Sequence, residues 1–165
     1  MSKRRHPRPH HSSGGASGSS RSVIHDTVLL RRGRELWGLK RWDEALQIFE
    51  RAVAAEPDNA RVLVDAARAF GARYRFGRAD ELLRRLLDRH GSDPLMLAHA
   101  GESYRLINRF AEAVRCFERS LALAREQATV GMELARLYER LHRLEEGLSL
   151  IERVLQTNRP GLRRG

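Results

Sequence analysis

The stretch Gly33–Val53 reads GRELWGLKRWDEALQIFERAV, and Ala67–Leu87 (ARAFGARYRFGRADELLRRLL), Gly101–Leu121 (GESYRLINRFAEAVRCFERSL) and Ala135–Leu155 (ARLYERLHRLEEGLSLIERVL) return its pattern every 34 residues. Small residues recur at Ala45, Ala79, Ala113 and Gly147, each followed four positions on by a large apolar side chain: Phe49, Leu83, Phe117 and Ile151. Three positions before each stands Trp42, Phe76, Phe110 or Leu144. A second small residue lies twelve positions earlier, at Gly33, Ala67, Gly101 and Ala135, with Leu36, Phe70, Tyr104 or Tyr138 three positions after it. Small residues let two helix backbones approach, and the large ones fill the space between turns. A fixed period of this length is the mark of a repeat architecture.

Each unit divides into two helices. Apolar residues fall at helical intervals in Leu29, Gly33 and Leu36 and again in Ala45, Phe49, Ala52 and Val53, while strand alternation is absent. Breakers separate the segments: Glu56-Pro57-Asp58-Asn59 closes the first unit, and Ser92-Asp93-Pro94 opens the third with an N-cap and a proline at the first helical position. The pattern predicts helices over 26–39, 43–55, 60–73, 77–90, 94–107, 111–124, 128–141 and 145–157. Lys40, Tyr74, Asn108 and His142 share one turn position, where Asn and His tolerate positive φ; a structural turn role is expected there.

The period, with its small-x-x-large and then small-x-x-x-large spacing, resembles the tetratricopeptide repeat over Asp26 to about Pro160. Pro57 falls at that family's closing proline, whereas Gly91, Arg125 and Arg159 occupy the equivalent places, and Leu29, Leu63, Leu97 and Gly131 stand where the family has an early Trp. The resemblance implies an all-α fold, an α-solenoid of four antiparallel helix pairs in a right-handed superhelix. The first helix of each pair would line a concave groove and the second would form the outer wall. It also implies a binding role for peptides or whole proteins. An open, water-filled groove gives fixed polar groups little catalytic leverage.

By that resemblance the groove face carries Arg34, Arg68, Glu102 and Arg136, with Arg61 and Arg105 nearby and Leu30, Trp37, Val64 and Met132 as apolar neighbours. Groove arginines grip carboxylates bidentately, so the expected ligand is an acidic or amphipathic peptide segment. Arg31, Asp65 and His99 stand where a chaperone-tail carboxylate clamp would want Asn or Lys, so no such clamp is expected.

The chain has 165 residues with 31 Lys plus Arg against 21 Asp plus Glu, and 29 of the basic residues are Arg. Residues 1–25, with Lys3, Arg4, Arg5, Arg8 and Arg21 and no acid, read as a disordered basic tail; 26–160 is the repeat domain and 161–165 a C-terminal extension. The Arg4-Arg5 pair is followed by His10-His11-Ser12-Ser13-Gly14-Gly15 where an export signal would be apolar. No apolar run approaches the roughly 18–20 residues of a membrane span, so no membrane partner is expected, and the lone Cys116 suits a reducing cytoplasm.

Nothing in the sequence calls for chemistry. Gly14, Gly15 and Gly18 lack the lysine and strand of a phosphate loop. His6, His10 and His11 have no folded second shell to orient a metal, and His90, His99 and His142 are far apart in sequence. Cys116 has no partner in a nucleophile motif and reads as a small, partly buried residue. The pairs Asp43-Glu44, Asp80-Glu81 and Glu145-Glu146 sit at starts of second helices, favouring the positive end of the helix dipole. No enzyme activity, cofactor or metal is expected. Arginines recur at 41, 75, 109 and 143 in the turns and at 51, 85, 119 and 153 on the second helices. They read first as a solvated outer face and second as a track for nucleic acid or acidic protein. The alternatives to a peptide-binding scaffold are therefore a basic nucleic-acid-associated protein and the leading module of a longer enzyme. Leu148, Ile151, Val154 and Leu155 leave the last helix with an apolar surface, which predicts self-association, another partner or a natural continuation of the chain there.

Overall fold

The structure, a computed structural model, describes residues 26–157. The expected tail (1–25) and extension (161–165) lie outside the described residues. Among the described residues there are eight helices and no strand: α1 Val28–Gly38, α2 Trp42–Ala55, α3 Ala60–Ala72, α4 Phe76–His90, α5 Pro94–Leu106, α6 Phe110–Leu123, α7 Ala128–Arg140 and α8 Leu144–Thr157. They form the hairpins α1/α2, α3/α4, α5/α6 and α7/α8, each second helix lying against the first helix of the next hairpin, with α3 also packed along α5. The architecture is an all-α solenoid of four antiparallel helix pairs.

Helix starts follow local chemistry. Thr27 accepts a hydrogen bond from the Leu30 amide at 3.0 Å, Asn59 from Arg61 at 3.0 Å, and Asp93 from Leu95 at 2.8 Å with Pro94 at the first helical position. α7 has Gln127 instead, whose side-chain nitrogen turns back to donate to the Ser120 and Ala124 carbonyls that end α6. The first helices end alike. Lys40, Tyr74, Asn108 and His142 adopt φ of 60–61°, as their shared turn position predicts. The amide after each one reaches five residues back, as Arg41 N–H does to the Leu36 carbonyl at 3.0 Å and Arg143 N–H to the Tyr138 carbonyl at 2.8 Å. This closure satisfies carbonyls that would otherwise be orphaned, against a cost of roughly 1–2 kcal/mol for a non-glycine residue in the left-handed region.

Inside each hairpin the repeat's two small positions set the distance between helices. A Cβ added at Gly33 would stand 2.8 Å from Phe49 Cε1, and one at Gly101 would stand 2.7 Å from Phe117 Cε1. In the second and fourth units alanine occupies that place, and the facing residue is Leu83 or Ile151 rather than phenylalanine. The pair is thus matched in size unit by unit: glycine with phenylalanine, alanine with a branched aliphatic. Phe49 and Phe117 are 2% and 1% exposed, so their burial contributes roughly 1.5–3 kcal/mol each.

Several buried polar groups find partners. Ser120, fully buried, donates to the Pro94 carbonyl at 2.7 Å, Ser103 donates to His99 O at 2.8 Å, and His90 Nε2 donates to the Asp58 carbonyl at 2.7 Å. Arg78 of α4 holds Glu50 of α2 through two bonds of 2.9 and 2.6 Å. Cys116 is 3% exposed, and burial pushes its thiol up to about 11, so it stays protonated at neutral pH.

Candidate binding groove

The first helices α1, α3, α5 and α7 bring the predicted arginines to one face, and the structure shows what those arginines do there. Arg34 Nε donates to Asp65 of α3 at 2.5 Å, and its Nη1 to Asp26 at 3.0 Å. Arg61 lies 3.3 Å from Asp26. Arg68 of α3 pairs with Glu102 of α5 and lies 3.2 Å from His99 Nδ1. Arg105 of α5 sits 3.6 Å from Glu133 of α7, which also accepts from Arg136 at 2.5 Å. The face is therefore a ladder of ion pairs that rivets each first helix to the next, rather than a bare strip of positive charge. Against burial's upward pull, Arg34 and Arg61 hold the Asp26 carboxyl below the usual carboxylate range. For His99, burial and then the Arg68 charge lower the pKa, with Glu102 opposing, so the imidazole is neutral at neutral pH.

Two expected groove residues belong to the core instead. Leu30 is 0% exposed and Val64 4%, whereas Met132, two repeats after Val64, is 42% exposed. Stacking explains the difference: this position faces the next unit's first helix, and among the described residues no unit follows the fourth. Ala98, the remaining member of the series, is likewise buried.

Trp37 borders a cavity. It is half-buried, meets Trp42 edge-on with ring centroids 4.7 Å apart, and walls an open cavity of about 330 Å³. Phe49, Ala69, Ala72 and Leu106 complete the apolar lining, and Arg34, Asp65 and Arg68 form a charged rim. Arg105 Nε is buried without a hydrogen-bond partner among the described residues. A larger cleft of about 600 Å³ lies on the second-helix side between α6, α7 and α8, with Glu118, Arg125 and Arg153 among its walls. Within it the Tyr138 hydroxyl donates to Glu118 at 2.6 Å.

The cavity could not have been found from the repeat pattern, since the small residues that open it, Ala69 and Ala72, carry no motif signal. Among the described residues no group of three or more His, Cys, Asp or Glu could hold a metal ion, and His6, His10 and His11 lie outside them. No helix among them is long and apolar enough to cross a membrane.

Two family models described as tetratricopeptide repeat match the sequence, over residues 36–99 and 97–130, which together span more than half of the chain. No curated protein matches it. Among solved structures, MamA from MSR-1 superposes with a TM-score of 0.63 at 22% identity, covering 79% of this chain and 75% of that one. MamA 41-end from Desulfovibrio magneticus RS-1 gives 0.65 at 13% identity, covering 78% and 73%. At these identities the likeness speaks for the fold.

Proposed function

The chain belongs to the tetratricopeptide-repeat family, and from that premise we propose that it is a non-catalytic scaffold whose groove captures an amphipathic, acid-bearing peptide segment. The observation that carries this reading is the Trp37 cavity between Arg34 and Arg68. An apolar side chain of the ligand enters against Trp37, Ala69, Ala72 and Leu106. A neighbouring ligand carboxylate then competes with Asp65 or Glu102 for a guanidinium already fixed in place. The exchange of one carboxylate for another makes the charged rim a selector more than a source of affinity, because each arginine gains a new partner only by giving up an old one. Arg61, Arg105, Arg136 and Met132 extend the same face for the rest of the segment.

The test is selection of peptides on the full chain from a random display library, followed by titration of the best binder. Enrichment of an aromatic or aliphatic residue beside Asp or Glu is expected. Trp37→Ala should weaken binding about tenfold or more, the scale of one well-buried anchor. Arg34→Gln with Arg68→Gln should erase the preference for acidic over neutral peptides while helicity stays intact. Selected peptides without acids, or affinity indifferent to Trp37, would overturn the reading.

A further inference from the structure

The two edges of the solenoid have opposite chemistry. The hairpin turns 39–42, 73–76, 107–110 and 141–144 line one edge, because each joins a first helix to a second one in hairpins laid side by side. These turns contain six basic residues (Lys40, Arg41, Arg73, Arg75, Arg109 and Arg143), eight apolar or aromatic residues, and no acid. The linkers 56–59, 90–93 and 124–127 on the other edge contain four acids (Glu56, Asp58, Asp93 and Glu126) and a single arginine, Arg125.

Five of the eight apolar residues of the basic edge are exposed, whereas Ile107 is buried and Trp42 and Phe110 are half-buried. Tyr74 is 78% exposed, Leu39 65% and Leu144 57%, with Phe76 and Leu141 also exposed. Arg41, Arg109 and Arg143 are paired with Glu44, Glu112 and Glu146, while Lys40, Arg73 and Arg75 form no ion pair among the described residues. Arg73 lies over the Trp42 ring at 5.8 Å.

We propose that this turn edge is a docking surface for an anionic lipid bilayer. Apolar side chains spread along a row of turns meet no pre-shaped pocket on a rigid partner, but a bilayer interface deforms around them. Tyr and Leu side chains settle at the headgroup boundary, while Lys and Arg reach anionic headgroups. Nucleic acid would satisfy the cations and leave Leu39, Leu141 and Leu144 in water. The expectation of no membrane partner rested on the lack of a spanning segment, and a row of turn tips binds without spanning. The acidic opposite edge would face away, fixing the orientation of the groove relative to the membrane. This inference stands apart from the groove reading and uses none of its residues.

The full chain should co-sediment with vesicles of equal phosphatidylglycerol and phosphatidylcholine, and not with phosphatidylcholine alone. Lys3, Arg4, Arg5, Arg8 and Arg21 add attraction through charge in every variant, so the decisive variant is apolar: Leu39→Gln, Tyr74→Asn and Leu141→Gln together should lower partitioning about tenfold or more. Arg73→Gln with Arg75→Gln should lower it and flatten its salt dependence. Leu95→Gln with Leu123→Gln, on the opposite edge, should leave it unchanged, with far-ultraviolet circular dichroism confirming the fold of each. Absence of vesicle binding, or binding indifferent to the Leu39, Tyr74 and Leu141 changes, would overturn the proposal. So would duplex DNA binding that depends on Arg73 and Arg75 without any vesicle binding, which would hand the edge to nucleic acid.

Discussion

Replacing Gly33 by alanine perturbs the closest approach in the first hairpin. The new Cβ would lie 2.8 Å from Phe49 Cε1 and 3.1 Å from both Cδ1 and Cζ, whereas packed carbons sit at about 3.5–4.0 Å. The ring cannot swing out of the way, because Phe49 is itself 2% exposed and held by the core. Either α1 or the ring must shift, and overpacking of this kind costs about 1–3 kcal/mol. Alanine's better helix propensity returns about 1 kcal/mol, leaving a net loss of up to about 2 kcal/mol. Gly38 in the same helix supplies the control: a Cβ there meets nothing within 4 Å, so Gly38→Ala should be neutral or gain up to about 1 kcal/mol. Urea unfolding followed by circular dichroism measures both. Adding Phe49→Leu to Gly33→Ala recreates the Ala67–Leu83 pairing of the second unit, and the double-mutant cycle should show a favourable coupling of about 0.5–3 kcal/mol. Equal midpoint shifts for the two glycine variants, or a strictly additive cycle, would refute size matching as the reason for glycine.

Ser120→Ala should cost about 1–3 kcal/mol by urea unfolding, because the Pro94 carbonyl and the Gln127 side-chain amide both lose a partner in a fully buried place. His99 has a lowered folded pKa, so the folded state binds its proton less readily than the unfolded chain. Its contribution to stability is complete above the ordinary value of about 6.5 and declines as pH falls below it; His99→Gln should flatten the midpoint-versus-pH curve below about pH 6.5. On α8, Leu148 and Leu155 are 63% and 61% exposed while Ile151 and Val154 are half-buried, and the proposed self-association should use the outer pair. Sedimentation equilibrium should show Leu148→Lys with Leu155→Lys as monomer where the parent associates, and a strictly monomeric parent would remove that proposal.

The helices were legible because each carries its own signal. Asn59 and Asp93 begin helices by local hydrogen bonding and Pro94 by its fixed φ, and the small and large positions of the repeat meet within one hairpin. Contacts between units were not legible, since they depend on how one hairpin is rotated on the next. Arg34 reaches Asp65, 31 positions on, Arg68 reaches Glu102 at 34, and Arg105 reaches Glu133 at 28. No single offset in the sequence announces such a ladder, and so the arginines read as free charge. Leu30 and Val64 were misread for the same reason: helical spacing gives their face but not the neighbour that covers it.

The matched pairs also constrain how such a chain can be cut and rejoined. Units one and three combine glycine with phenylalanine, and units two and four combine alanine with a branched aliphatic. A recombination event in a linker such as 56–59 moves whole hairpins and keeps every pair together. A crossover between Gly33 and Phe49, or at the equivalent place in the next unit, can join an alanine to a phenylalanine, producing the clash described for Gly33→Ala, or a glycine to a leucine, leaving a void. Exchange among units of this protein therefore keeps these pairs whole at the acidic linkers and breaks them at the basic turns, so the inherited module is the hairpin.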